Sequence, residues 1–125
     1  GNDSIDGGAG NDTLDGGSGL DTVNGGADDD LVRSSEGADS LDGGDQRDTL
    51  TYAGSSAGVT VSLESGTGAD YNSGPSHAAG DSIANFENLI GSAFDDRLTG
   101  DAGDNSIEGG DGGDILADGA GVDTL

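Results

Sequence analysis

Residues 7–51 read GGAGNDTLD, GGSGLDTVN, GGADDDLVR, SSEGADSLD and GGDQRDTLT, five units of nine residues in unbroken register. Aspartate holds position six in every unit, an aliphatic residue holds position eight, and glycine fills positions one and two in all but SSEGADSLD. A fixed period of this length is the signature of a solenoid, in which a unit too small to bury its own apolar face stacks on its neighbours. Positions seven to nine alternate polar, apolar, polar, the pattern of a short strand with one buried face. The glycine-rich six residues before them form a turn, because glycine accepts positive φ without strain. Nine residues cannot complete a coil and return to the same sheet, but two units can. The expectation is an all-β fold, a right-handed parallel β-roll with 18 residues per coil, whose two facing sheets trap the position-eight Leu, Val and Ile.

The register extends beyond this stretch. Asp3/Ile5, Asp12/Leu14, Asp21/Val23, Asp30/Val32, Asp39/Leu41 and Asp48/Leu50 form one series of position-six and position-eight pairs, giving a first repeat block over 1–51. The frame then lapses and returns shifted, with Glu87/Leu89, Asp96/Leu98, Asn105/Ile107, Asp114/Leu116 and Asp123/Leu125 in a second block over 82–125. Residues 52–81 read as an insertion. Val59, Val61 and Leu63 alternate with Thr60 and Ser62, which predicts a longer strand. Gly66–Gly80, rich in Gly and Ser and holding the sole Pro75, predicts an exposed loop. The insertion is expected to add strands to the same stack, making one continuous solenoid. The chain begins at repeat position four and stops at position eight, so it is expected to be a piece of something longer.

Composition says what cannot hold such a stack together. The 125 residues include 26 Asp and Glu against three Arg and no Lys, for a net charge of −23, with 27 Gly. Leu, Ile, Val and Phe make up less than one-fifth of the chain, a level that with high net charge normally means disorder. A disordered acidic segment is the bland reading, but low complexity does not generate acid–x–aliphatic triplets held in frame. Nucleic acid and anionic membrane surfaces would be repelled, and no stretch is long enough for membrane insertion as a helix. Cysteine is absent, which removes disulfides and thiolate metal sites.

Two units per coil place aspartates 18 apart above one another, giving columns Asp3, Asp21, Asp39 and Asp12, Asp30, Asp48 on opposite edges. Coils in a parallel stack sit about 4.8 Å apart, and at an effective dielectric near 20 each carboxylate pair repels by roughly 3 kcal/mol. Cations are required. Six to eight hard oxygen ligands, from carboxylates and main-chain carbonyls of glycine turns, suit Ca²⁺, whereas Mg²⁺ demands a tighter octahedron and keeps its waters. The full pattern occurs at Gly8, Gly10, Gly17 and Gly19 with Asp12 and Asp21, and at Gly110 and Gly112 with Asp114. Asp3, Asp30, Asp39, Asp48, Asp96 and Asp123 are further candidate metal ligands. Asn105 supplies a neutral oxygen and Glu87 a longer arm, and Gln46 and Phe94 suit a left-handed position four poorly. Fewer ions than repeats are expected.

The unit G-G-x-G-x-D-x-U-x resembles the nonapeptide of the RTX (repeats-in-toxin, hemolysin-type) calcium-binding family. The stretch ENLIGSAFDDRLTG is similar to sequences that introduce the calcium roll in serralysin-type proteases and occur in alginate epimerase modules. The resemblance implies several Ca²⁺ ions, each between two adjacent turns and bound by position-six aspartates and turn carbonyls. It also implies type I secretion and a bacterial protein that is extracellular or on the cell surface. The expected function is a calcium-binding module that folds on Ca²⁺ outside the cell and supports secretion and stability of an attached domain. The alternative is a structural repeat of an adhesin or surface-layer protein, where self-association would be expected. No enzyme activity is expected within this segment: His77 is the sole histidine and is expected to face solvent, and the aspartates belong to the columns. An ice-binding array would need regular paired threonines, which positions seven and nine lack. Tyr52 and Phe86 are expected to pack at the block junctions.

Overall fold

A computed structural model describes residues 1–72 and 74–125. Its elements, all strands, are β1 (Ser4–Ala9), β2 (Thr13–Asp15), β3 (Thr22–Ala27), β4 (Leu31–Arg33), β5 (Ser40–Asp45), β6 (Thr49–Thr51), β7 (Val59–Ser62), β8 (Thr67–Asp70), β9 (Ser82–Ala84), β10 (Asn88–Ile90), β11 (Arg97–Thr99), β12 (Ser106–Glu108) and β13 (Ile115–Ala117). Successive strands alternate between two sheets, except that β7, β8 and β9 all lie in one. One has eight strands in the order β1-β3-β5-β9-β8-β7-β11-β13, and the other has five in the order β12-β10-β6-β4-β2. The chain is a parallel β-solenoid.

The register follows the 18-residue step. Ile5 pairs with Val23 and Val23 with Leu41 in one sheet, while Leu14, Val32 and Leu50 align in the other. These position-eight residues face inward and are buried, together with Ile83, Leu89, Leu98 and Ile107, except Ile5 on the first coil, which is half-buried against them. Each coil therefore contributes one aliphatic side chain from either wall, and stacking makes them continuous. In β1, β3 and β5 pairing runs on into the turn, with Gly8 opposite Gly26 and Gly26 opposite Gly44. Turns of identical shape stacked at one step keep their main-chain hydrogen bonds in register, so these strands are six residues long instead of the three expected.

The insertion builds a hairpin inside one wall. β7 and β8 pair antiparallel, β7 pairs parallel with β11, and β8 meets β9 through Thr67 and Ser82. In the opposite wall β6 pairs directly with β10 and β10 with β12. The eight-stranded sheet therefore gains two strands where the other gains none. Gly66–Gly80 departs from the expected exposed loop: it contains β8, and Ser76 and Ala78 are buried. Both the N–H and the hydroxyl of Ser76 donate to Asp70 Oδ1 at 2.7 Å, folding this segment back onto the sheet. Ser73 of that loop lies outside the described residues. Tyr52 and Phe86 are buried in the core at the block junctions. His77 is half-buried rather than solvent-facing, with Nδ1 3.3 Å from the Ser34 carbonyl.

Candidate metal sites

Each coil is tied to the next through its position-six side chain. The N–H of Asp3 donates to Asp21 Oδ1 at 2.7 Å, and that of Asp21 to Asp39 Oδ1 at 2.9 Å. On the other edge Asp12 donates to Asp30 Oδ1 at 2.7 Å and Asp30 to Asp48 Oδ1 at 2.8 Å. The position-six carbonyl completes the link by accepting from position seven one coil on, as in Ser40 N–H to Asp21 O at 2.8 Å. The second block repeats the arrangement, with Asp96 donating to Asp114 and Asn105 to Asp123. The columns are thus real, and above the first coil Asp21, Asp30, Asp39 and Asp48 each spend one carboxylate oxygen on the backbone.

The other oxygen is left over. Oδ2 of Asp12, Asp21, Asp30 and Asp48 is buried with no hydrogen-bond partner, and Asp21, Asp30 and Asp48 are only 2%, 3% and 0% exposed. A buried carboxylate oxygen without a donor carries a desolvation penalty of several kcal/mol unless a counter-charge reaches it. Burial accordingly pushes the Asp39 and Asp48 carboxyls above their usual range.

These oxygens lie in cradles formed at position-one glycines. A Cβ on Gly7 would sit 2.5 Å from the Gly25 carbonyl oxygen and 2.8 Å from Asp12 Oδ2. One on Gly16 would sit 2.7 Å from Asp21 Oδ2, one on Gly25 2.5 Å from Asp30 Oδ2, and one on Gly43 2.8 Å from Asp48 Oδ2. Bare Cα atoms let a free carboxylate oxygen and, at Gly7, a carbonyl from the neighbouring coil converge. Among the described residues no three His, Cys, Asp or Glu side chains gather around one point. The donor set is therefore one carboxylate per turn supplemented by main-chain carbonyls, which suits a hard cation with many oxygen ligands and not zinc. The residues fit Ca²⁺.

Turn shape is imposed even where the residue resists it. Gly8, Gly10, Gly17, Gly19, Gly110 and Gly112 all have left-handed φ. Asp28 (φ 81°) and Gln46 (φ 85°) take it too, at about 1–2 kcal/mol each. The Gln46 amide donates to Asp28 Oδ1 at 3.0 Å, so the two strained residues brace one another. Phe94 does not adopt this conformation.

A model of the RTX calcium-binding nonapeptide repeat matches residues 1–23, 15–50 and 87–125. The chain belongs to the RTX calcium-binding repeat family. Comparison with curated proteins finds no match. The RTX repeats of this chain form a calcium-binding β-roll module, and among the described residues no helix is long and apolar enough to cross a membrane.

Individual candidates differ within the RTX roll. Asp3 lies exposed on the first coil, Asp114 and Asp123 are half-buried, and Asp96 is fully buried with both oxygens hydrogen-bonded. Asp81 joined the columns without being singled out by the sequence, and Glu87 joined them at the position-six place the register gave it. Asp81 Oδ1 accepts the Asp39 N–H at 2.9 Å, and Glu87 Oε2 accepts that of Asp48 at 2.9 Å. Asp81 is buried, its Oδ2 accepts the Tyr52 hydroxyl at 2.9 Å, and burial pushes its carboxyl up to about 6. The signal was present as the triplet Asp81-Ser82-Ile83. It stands six residues before Glu87-Asn88-Leu89 where the frame requires nine, so a shortened half-coil hid it.

Proposed function

We propose that this chain is a calcium-triggered folding module of a secreted bacterial protein, loose where free Ca²⁺ is low and compact outside the cell, where it supports secretion and stability of an attached domain. The observation that carries the reading is the set of buried, partnerless Oδ2 atoms at Asp12, Asp21, Asp30 and Asp48, each beside a bare glycine Cα. Ion binding by the folded state alone is folding free energy. A chain with a net charge of −23 and one core residue per repeat depends on that contribution. The ligands proposed are Asp3, Asp12, Asp21, Asp30, Asp39, Asp48, Asp114 and Asp123, with carbonyls of the glycine turns. Repulsion within the unliganded columns keeps the chain extended and suited to export, and millimolar calcium outside the cell closes them.

The test is circular dichroism and small-angle scattering through a calcium titration from chelator. Compaction should be cooperative with Ca²⁺ and much weaker with Mg²⁺ at equal concentration. Equal response to both ions, or a fully compact chain in chelator, would sink the reading.

A further inference from the structure

Apart from the turn at 34–39, where Gly37 but not Ser35 has left-handed φ, the nine-residue repeat turns fall into two kinds that differ in what meets the position-six side chain. In open turns, positions two and four both have left-handed φ, as at Gly8 and Gly10, Gly17 and Gly19, Gly26 and Asp28, Gly44 and Gln46, and Gly110 and Gly112. The buried, partnerless Oδ2 atoms of Asp12, Asp21, Asp30 and Asp48 all belong to turns of this kind. In closed turns, at 91–96 and 100–105, neither position takes that conformation. The position-two N–H instead reaches the position-six side chain, Ser92 donating to Asp96 Oδ2 at 2.6 Å and Asp101 to Asn105 Oδ1 at 2.8 Å.

Asp96 is filled completely. Its Oδ1 accepts the Ser92 hydroxyl at 2.8 Å and the N–H of Val59, the first residue of the hairpin, at 2.8 Å. Asp81 is likewise filled, by the Asp39 N–H and the Tyr52 hydroxyl. Hydrogen bonds to a carboxylate stabilise its charged form, so donors here occupy the positions a cation would take. The same segment holds the largest core side chains, with Tyr52, Val59, Val61, Phe86, Leu89 and Leu98 buried together.

We propose that the closed turns, Tyr52 and the β7–β8 hairpin hold residues 52–108 together without ions, and that calcium folds the open-turn coils against a segment already in place. The inference rests on the calcium reading for the outer coils, and it removes Asp96 from the ligand set that the repeat pattern assigns.

The experiment is hydrogen exchange on the full chain in chelator and again in saturating calcium. Without calcium, the amides of Val59, Ser92 and Tyr52, the last bonded to the Ile90 carbonyl at 2.8 Å, should exchange at least ~100-fold more slowly than those of Asp3, Asp12 and Asp30, and calcium should then protect the latter. Uniform exchange of all six in chelator, fast or slow, overturns the proposal. A second measurement does not depend on calcium-free folding. By native mass spectrometry in saturating calcium, the variant Ser92→Gly/Phe94→Gly, which restores an open turn beside Asp96, should carry one more ion than the parent. An unchanged count overturns the proposal. Absence of calcium binding anywhere would instead sink the calcium reading, and would leave the chelator pattern to decide this one.

Discussion

A single aspartate in this roll does two jobs with two oxygens. Oδ1 of Asp30 accepts the Asp12 N–H and ties two coils together, while Oδ2 is buried beside Gly25 with nothing to bind. Asp15 has the same charge but stands exposed at the end of β2, where its Oδ1 accepts only the Gly17 N–H. Asp12→Ala should therefore raise the calcium midpoint by tenfold or more, about 1.4 kcal/mol, whereas Asp15→Ala should shift it by less than about threefold. Titration followed by circular dichroism separates the two, and equal shifts would mean that the register is misread. Repeat position made this division legible in the sequence. What it could not give is the effect of Ser92 at position two, since a hydroxyl bonded to Asp96 Oδ1 depends on a turn shape that a residue pattern does not specify.

Among the elements, the three-residue strands carry the periodic signal most cleanly. In β4 and β6 the position-eight residues Val32 and Leu50 are fully buried, while Leu31 at position seven is only half-buried. Leu50→Ala should lose about 2–5 kcal/mol in calcium-saturated denaturant unfolding through lost contacts and a cavity. Leu31→Ala should lose under about 1 kcal/mol, and a reversed order would place the wrong face inside. The acid–x–aliphatic triplet found these strands because it reports which face is buried. Apolar alternation at Val59 and Val61 found β7, because it too reports a buried face. β8 escaped, because Thr67-Gly68-Ala69-Asp70 has neither apolar alternation nor a β-branched run; it forms because Gly68 can lie bare against the Ala78 carbonyl and Ala69 pairs with Thr60. Strand formation there is dictated by the partner already in place, a contact invisible along the chain.

For the molecule as a whole, 23 net negative charges stand against a narrow apolar core, and the proposed calcium reading makes folding of the outer coils depend on what neutralises the edges. Screening and coordination can be told apart. At 1 M ionic strength the Debye length falls to about 3 Å, which weakens repulsion between the columns but supplies nothing to the buried Oδ2 atoms. Sodium chloride at that concentration should therefore leave the outer coils unfolded by circular dichroism and scattering. Folding by salt alone would show that general repulsion, and not ligation, is the barrier.

The hairpin gives the two walls unequal heights. Between Leu89 and Ile107 the five-stranded wall climbs one rung, while between Ile83 and Leu98 the opposite wall climbs three. At about 4.8 Å per rung, the coil planes above and below cannot be parallel. The pair β7–β8 thus works as a keystone, turning what would be a straight rod into an angled one, and whatever is joined at either end is aimed as well as spaced.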